Sequence, residues 1–174
     1  MNEVFHNQDD VAFVDEGWLH FLKARAHQSP LQRSRLCLHR SPHDLVQEMI
    51  IVMCREVLFR PHRHRAKSES FHMIEGLIDV ILFSEDGTPE QVIHMSPLGG
   101  GGKFCYRLCA SQFHAVLPRT DIVVVHETTT GPWVQDGAEF APWAPVEPDA
   151  LRAFLEEGAA RGRVANHNSE HFHT

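Results

Sequence analysis

Two histidines spaced two apart, His62 and His64, open the stretch HRHRAKSE, and Glu69 closes it. On a β-strand this spacing puts both imidazoles on one face, roughly 7 Å apart at the backbone, near enough to share an ion. On a helix it would turn them about 200° apart, a poor geometry for common ligation. Glu69 follows a short charged loop and leads into the next apolar run, so it can come from the adjacent strand and add a carboxylate to the pair. Two imidazoles and one carboxylate leave open positions on an octahedral ion. That arrangement suits non-haem Fe(II) and is tolerated by Mn(II), Ni(II) or Zn(II). A third imidazole, His114, begins the run HAVL downstream. The chemistry these residues point to is one divalent transition metal (Fe, Mn, Ni or Zn) at His62, His64 and Glu69, with His114 the place to seek a third imidazole.

Such a site needs short strands to carry it, and the sequence supplies them. From about Arg35 to Glu127 the chain is a series of β-rich runs divided by turn residues, among them EMIIVMCREVLF, LIDVILFS, FHAVL and DIVVVHE. SEDGTPE reads as a hairpin with Asp86-Gly87 in its turn. Strands at this spacing without intervening helices predict an all-β sandwich or barrel. Before them, residues 15–28 have helical spacing with Asp15 as N-cap, and Ser29-Pro30 ends the run. After them, Gly131–Pro148 reads as an ordered coil, residues 149–160 as a short amphipathic helix and NHNSEHFHT as a loose polar tail. The expected organisation is a helical extension at 1–34, a β-barrel at 35–146, and a C-terminal helix and tail at 147–174.

The pattern H-x-H-x4-E-x6-G, read as His62, His64, Glu69 and Gly76, resembles the first signature of the cupin superfamily, and His114 falls where the second signature places its histidine. The glycine that usually precedes His62 by six residues is Glu56 here. In the second signature Cys109, Ser111 and Pro118 stand at the usual proline, glycine and asparagine. The N-terminal helix, the PHRH segment, EDG in the hairpin and the ending GPW…DGAEFAPWAP together resemble the WbuC-type cupin fold metalloproteins, up to about Pro145. The resemblance implies a jelly-roll barrel in which His62, His64, Glu69 and His114 bind one metal, and an association with bacterial surface-polysaccharide gene clusters. It implies no particular reaction.

Strand parity sorts the neighbours. If His62 and His64 point inward, Arg60 does too, and Arg63 and Arg65 point out. A guanidinium beside an open metal position suits a carboxylate or phosphate, so Arg60 is the candidate for orienting substrate, against a rim ion pair as the plainer role. His72 takes the face opposite Glu69, and Gln112 shares parity with His114. Tyr106 is the sole tyrosine and can be a proton donor or a wall. Cys105 and Cys109 lie too far apart along one strand to share a zinc, and buried thiols are expected. Gly99–Gly102 has no nucleotide fingerprint and reads as a flexible loop at the barrel mouth. His167, His171 and His173 are a tail that can scavenge metal. The plainest alternative for all 14 histidines is packing or surface placement.

Sixteen Lys+Arg against 23 Asp+Glu give a net charge of -7, which argues against a nucleic-acid partner. No apolar run approaches the roughly 20 residues of a membrane span. The N-terminus lacks a secretory signal and four cysteines form no C-x-x-C pair, so a cytoplasmic protein with reduced thiols is expected. These readings converge on a metal-dependent enzyme (oxygenase, isomerase or lyase) acting on a small anionic or sugar-like molecule, with a homodimer expected by analogy of fold. The alternatives are a non-catalytic saccharide or carboxylate sensor and a metal-free sugar epimerase.

Overall fold

A computed structural model describes residues 3–65, 67–109, 111–134 and 137–165. In chain order the elements are β1 (Val4–His6), α1 (Glu16–Gln28), β2 (Arg33–Cys37), β3 (Val46–Cys54), β4 (His62–His64), β5 (Glu69–Glu75) and β6 (Ile78–Phe83). There follow β7 (Pro89–Met95), β8 (Cys105–Leu108), β9 (Phe113–Pro118), β10 (Ile122–Thr130), β11 (Ala138–Phe140), α2 (Pro148–Arg161) and β12 (Arg163–Val164). One sheet runs β1-β2-β3-β10-β5-β8 and the other β11-β4-β9-β6-β7-β12. Strand pairing is antiparallel except for β1 on β2 and β12 on β7. The all-β expectation holds.

Each helix covers the outer face of one sheet. α1 starts where the Asp15 side chain accepts a hydrogen bond from the Trp18 amide at 3.0 Å, satisfying an N–H with no partner inside the helix. Leu22 and Ala26, four residues apart on one stripe, pack on Leu36, Ile50, Val52 and Val124 of the first sheet. In α2, Leu151, Leu155 and Ala159 pack on Ile81, Phe83, Ala115 and Leu117 of the second. β6 and β9 are therefore buried on both faces, which is why IDVILF and FHAVLP are almost uniformly apolar. Between the sheets lie Met53, Phe71, Met73, Val80, Val116, Val123 and Val125.

Among the described residues the sheets do not close into a full barrel. Val4, His6, Arg35 and Cys37 on β1 and β2 face Ala138 and Phe140 on β11 across an open gap, and the interior is reached through it. β1 and β11 were both invisible as strands in the sequence. Three residues each, they are too short for alternation to register. β11 pairs with β4, Ala138 beside His64 and Phe140 beside His62, so the expected coil is in part the strand that supports the two histidines.

The expected hairpin joins β6 and β7, with Asp86 Oδ1 accepting from the Thr88 amide at 3.0 Å. Other expectations need correction. Cys105 and Cys109 are exposed rather than buried, because β8 is an edge strand whose inner positions go to Tyr106 and Leu108. The Gly99–Gly102 segment is an ordered turn between sheets, with the Gly102 amide donating to Ser96 Oγ at 2.8 Å. The C-terminal histidines lie outside the described residues.

Gly76, the glycine of the H-x-H-x4-E-x6-G pattern, turns β5 into β6 at φ +80°. A Cβ there would stand 2.3 Å from the Ile122 carbonyl oxygen. Both the left-handed backbone and the contact penalise a side chain, so Gly76→Ala is expected to cost about 2–4 kcal/mol. A urea midpoint unchanged from wild type would contradict this reading of the turn.

Candidate metal centre

His62 and His114 sit directly opposite each other on β4 and β9, the register that brings their ring centroids to 4.6 Å. His64, two residues along β4, has its ring 5.1 Å from His62 and 5.9 Å from His114. One ligand atom from each of the three lies within 4.8 Å of the others, so the period-two reading of H-x-H holds. The backbone aims the rings. His62 Nδ1 is 2.9 Å from the Arg60 carbonyl oxygen, and His114 Nδ1 is 3.0 Å from that of Gln112. A carbonyl can only accept, so Nδ1 carries the proton and Nε2 is left to face the interior. This is the outer support that metal-binding histidines ordinarily have.

Glu69 reaches the same point from across the sandwich. The expectation placed it on the strand beside His62 and His64, but β5 belongs to the other sheet, paired with β10 and β8. The segment between β4 and β5 crosses from one sheet to the other. Its carboxylate is 5% exposed, with Oε1 3.0 Å from His114 Nε2 and Oε2 3.5 Å from His64 Nε2. Tyr106 donates its hydroxyl proton to Oε1 at 2.7 Å. Burial opposes a charge on Glu69, yet the hydrogen bonds from His114 and Tyr106 outweigh it and hold the carboxyl at about 2. Burial and the neighbouring His114 pull His62 down to about 4, so that ring stays neutral. His114 moves the other way, burial being overcome by its bond to Glu69.

The remaining candidates separate by position. Arg60 is not among the residues lining the interior. Its guanidinium lies 5.2 Å over the Phe140 ring, with Nη2 donating to the Ala141 carbonyl at 3.4 Å. Alternation failed there because β4 begins at His62, so strand parity does not extend back through Pro61. Arg63 and Arg65 point outward onto Glu139, and His72 is on the exposed face of β5, both as expected. Gln112 contributes its backbone carbonyl, while its side chain donates to Glu90. Tyr106 lies in the core and contacts the site through Glu69, so it is a positioning residue.

Next to the four side chains is a cavity of about 200 Å³, lined also by Arg33, Phe59, Phe71 and Glu127. It shares Val4, Arg35, His64 and Glu127 with an outer lobe of about 590 Å³ that opens between the sheet edges. Arg33, Arg35 and Glu127 were missed in the sequence. The signal for Glu127 was there, since in IVVVHETTT it shares parity with the buried Val123 and Val125. Burial and the charge of Glu69 push its carboxyl up to about 7.

The family model described as Domain of unknown function (DUF6016) matches residues 14–95, a span that holds His62, His64 and Glu69 but not His114. No curated protein matches the chain. Among solved structures, protein SO0799 from Shewanella oneidensis aligns with TM-score 0.52 at 13% identity, over 75% of this chain and 87% of that one. A cupin superfamily protein from Desulfitobacterium hafniense aligns at TM-score 0.44 and 13% identity, over 56% and 76% of the two chains. KdgF from Halomonas sp. aligns at 0.45 and 17%, over 62% and 84%. Among the described residues no helix is long and apolar enough to cross a membrane. Two facing sheets with three inward imidazoles and a carboxylate between them make this a cupin-type jelly-roll fold.

Proposed function

We propose that this chain is a metal-dependent enzyme acting on a small anionic or sugar-like molecule inside the sandwich, akin to the WbuC-type cupins and to their place in surface-polysaccharide metabolism. The observation that supports it is the convergence of three imidazoles from one sheet, two of them oriented by backbone carbonyls, and Glu69 from the other beside an open cavity. Three nitrogen donors and one oxygen donor fit Fe, Mn, Ni or Zn held by His62, His64, His114 and Glu69. When bound, such an ion supplies Lewis acidity or a site for O2. Tyr106 holds Glu69 in place through its hydroxyl, and Glu127, ionising near neutrality, can hold or release a proton at its carboxylate on the cavity wall. Four free cysteines are in keeping with a cytoplasmic location, and the end positions of β8 and β11 in their sheets with a homodimer.

The test is turnover. Fe(II)-loaded protein incubated with a panel of small carboxylic acids and aldoses, in air and anaerobically, is expected to convert at least one of them, and His62→Ala/His64→Ala to convert none. Recovery of every compound unchanged would replace the enzyme with a binding module. A second reading rests on the 3.0 Å contact between His114 and Glu69, which is the histidine–carboxylate dyad a metal-free epimerase needs. Full activity in chelator and in His64→Ala would favour it.

A further inference from the structure

On β2 the inner face carries Arg33, Arg35 and Cys37, while Ser34 and Leu36 turn to α1, Ser34 Oγ donating to the Leu22 carbonyl at 2.7 Å. Two cations two residues apart thus face the interior at the open edge. Neither makes an ion pair among the described residues. Arg33 is half-buried and lies 5.3 Å over the Phe59 ring, and Arg35 makes only a weak contact, Nη1 to Met49 Sδ at 3.8 Å. Two carboxylates share the lining, Glu3 at the rim and Glu127 within. Glu127 and Arg35 line both lobes and the charge of Arg35 acts on Glu127, so Arg33 is the freer of the two cations.

A half-buried cation without a counter-charge is costly, and so is crowding two guanidiniums. Burial and the charge of Arg35 together lower the pKa of Arg33. A ligand bearing an oxyanion removes both penalties, because its oxygens accept from the planar fork of a guanidinium. Between Arg33 and the histidines the wall is Met53, Phe59, Phe71, Val116 and Val125. A polyhydroxylated ring would leave hydroxyls unpaired against that surface. About 200 Å³ holds roughly seven waters at about 30 Å³ each, the size of a small aryl or branched aliphatic acid.

We infer that Arg33, seconded by Arg35, is an oxyanion subsite, and that the ligand is a carboxylate or phosphate monoester on a compact apolar body whose far end lies at the histidine cluster. This rests on the proposed function and narrows it, setting sugars aside.

Titration calorimetry of the full chain, with metal content assayed in parallel, tests it. The probes are benzoate, phenyl phosphate, uncharged benzamide and glucose. Benzoate or phenyl phosphate is expected to bind at least tenfold more tightly than benzamide, with glucose undetected, and the better of the two anions identifies the acid. Arg33→Gln is expected to erase that preference without changing metal content, and Arg33→Lys to restore part of it. Anions binding no better than benzamide, or equally well to Arg33→Gln, would overturn the subsite. The wild-type preference decides the matter even if a variant fails to fold. Metal loading without anion preference sinks this inference alone, and anion preference in a chain that takes up no metal sinks the metal enzyme alone.

Discussion

Protein incubated with Fe(II), Mn(II), Ni(II) or Zn(II) and then desalted should keep close to one ion per chain, and His62→Ala/His64→Ala should keep none. The measurement belongs on a full-length background with His167, His171 and His173 changed to Ala, so that tail imidazoles do not contribute. His114→Ala leaves two imidazoles on one strand and should weaken binding by about 100-fold or more, since losing even a supporting contact costs about 10–100-fold. His72→Ala, on the exposed face of β5, is the matched control and should bind as wild type. Retention of the ion by the double variant would dissolve the proposed centre. The pH dependence has a definite sign. His114 is held protonated above its usual range by Glu69, and an ion must displace that proton from Nε2. Affinity should therefore climb with pH until His114 gives up its proton, and then level off. His62, already neutral down to about 4, adds nothing to that slope.

Glu127→Gln should make the metal-free protein more stable, and only at neutral or alkaline pH. The Glu127 carboxyl titrates at about 7 in the folded chain against an ordinary value of 4.5. Between those values the folded form binds more protons than the unfolded form, so stability falls as pH rises through the window. Above it the full deficit is present, up to about 3 kcal/mol. Because the side chain opens onto the cavity, we expect about 1–3 kcal/mol. Urea denaturation in chelator should show Glu127→Gln ahead by that margin at pH 8 and by less than about 1 kcal/mol at pH 5. An equal gain at both pH values would mean that the ionisation of Glu127 is not responsible. Glu69, at about 2, contributes stability that is lost only as pH falls below its ordinary range, so it does not enter this window.

The histidine cluster was legible because strand period is strict. Two histidines at i and i+2 must share a face whatever sheet they join, and a buried Phe113–Pro118 run had to place His114 inside. The origin of Glu69 was not legible. A four-residue connection can lead to the neighbouring strand or cross to the facing sheet, and nothing local to Arg65–Ser68 distinguishes the two. Arg60 shows the limit of parity: the rule applied only from His62 onward, where ladder pairing fixes the pleat. Arg33 and Arg35 were hidden for the opposite reason. RSRLC sets its two arginines on one face, but charged positions on a strand ordinarily face solvent, and only the unclosed sandwich turns them toward a cavity.

The three-residue ladder between β11 and β4 has a mechanical consequence. His62 and His64 hang on a strand whose outer neighbour is held by three residue pairs at the rim, while β6 and β9 are sealed beneath α2. Fraying that clasp would loosen the strand that carries both imidazoles while the layer beneath α2 stays packed. Loosening at the hem of the molecule and global unfolding are thereby distinct openings, and the two imidazoles belong to the first.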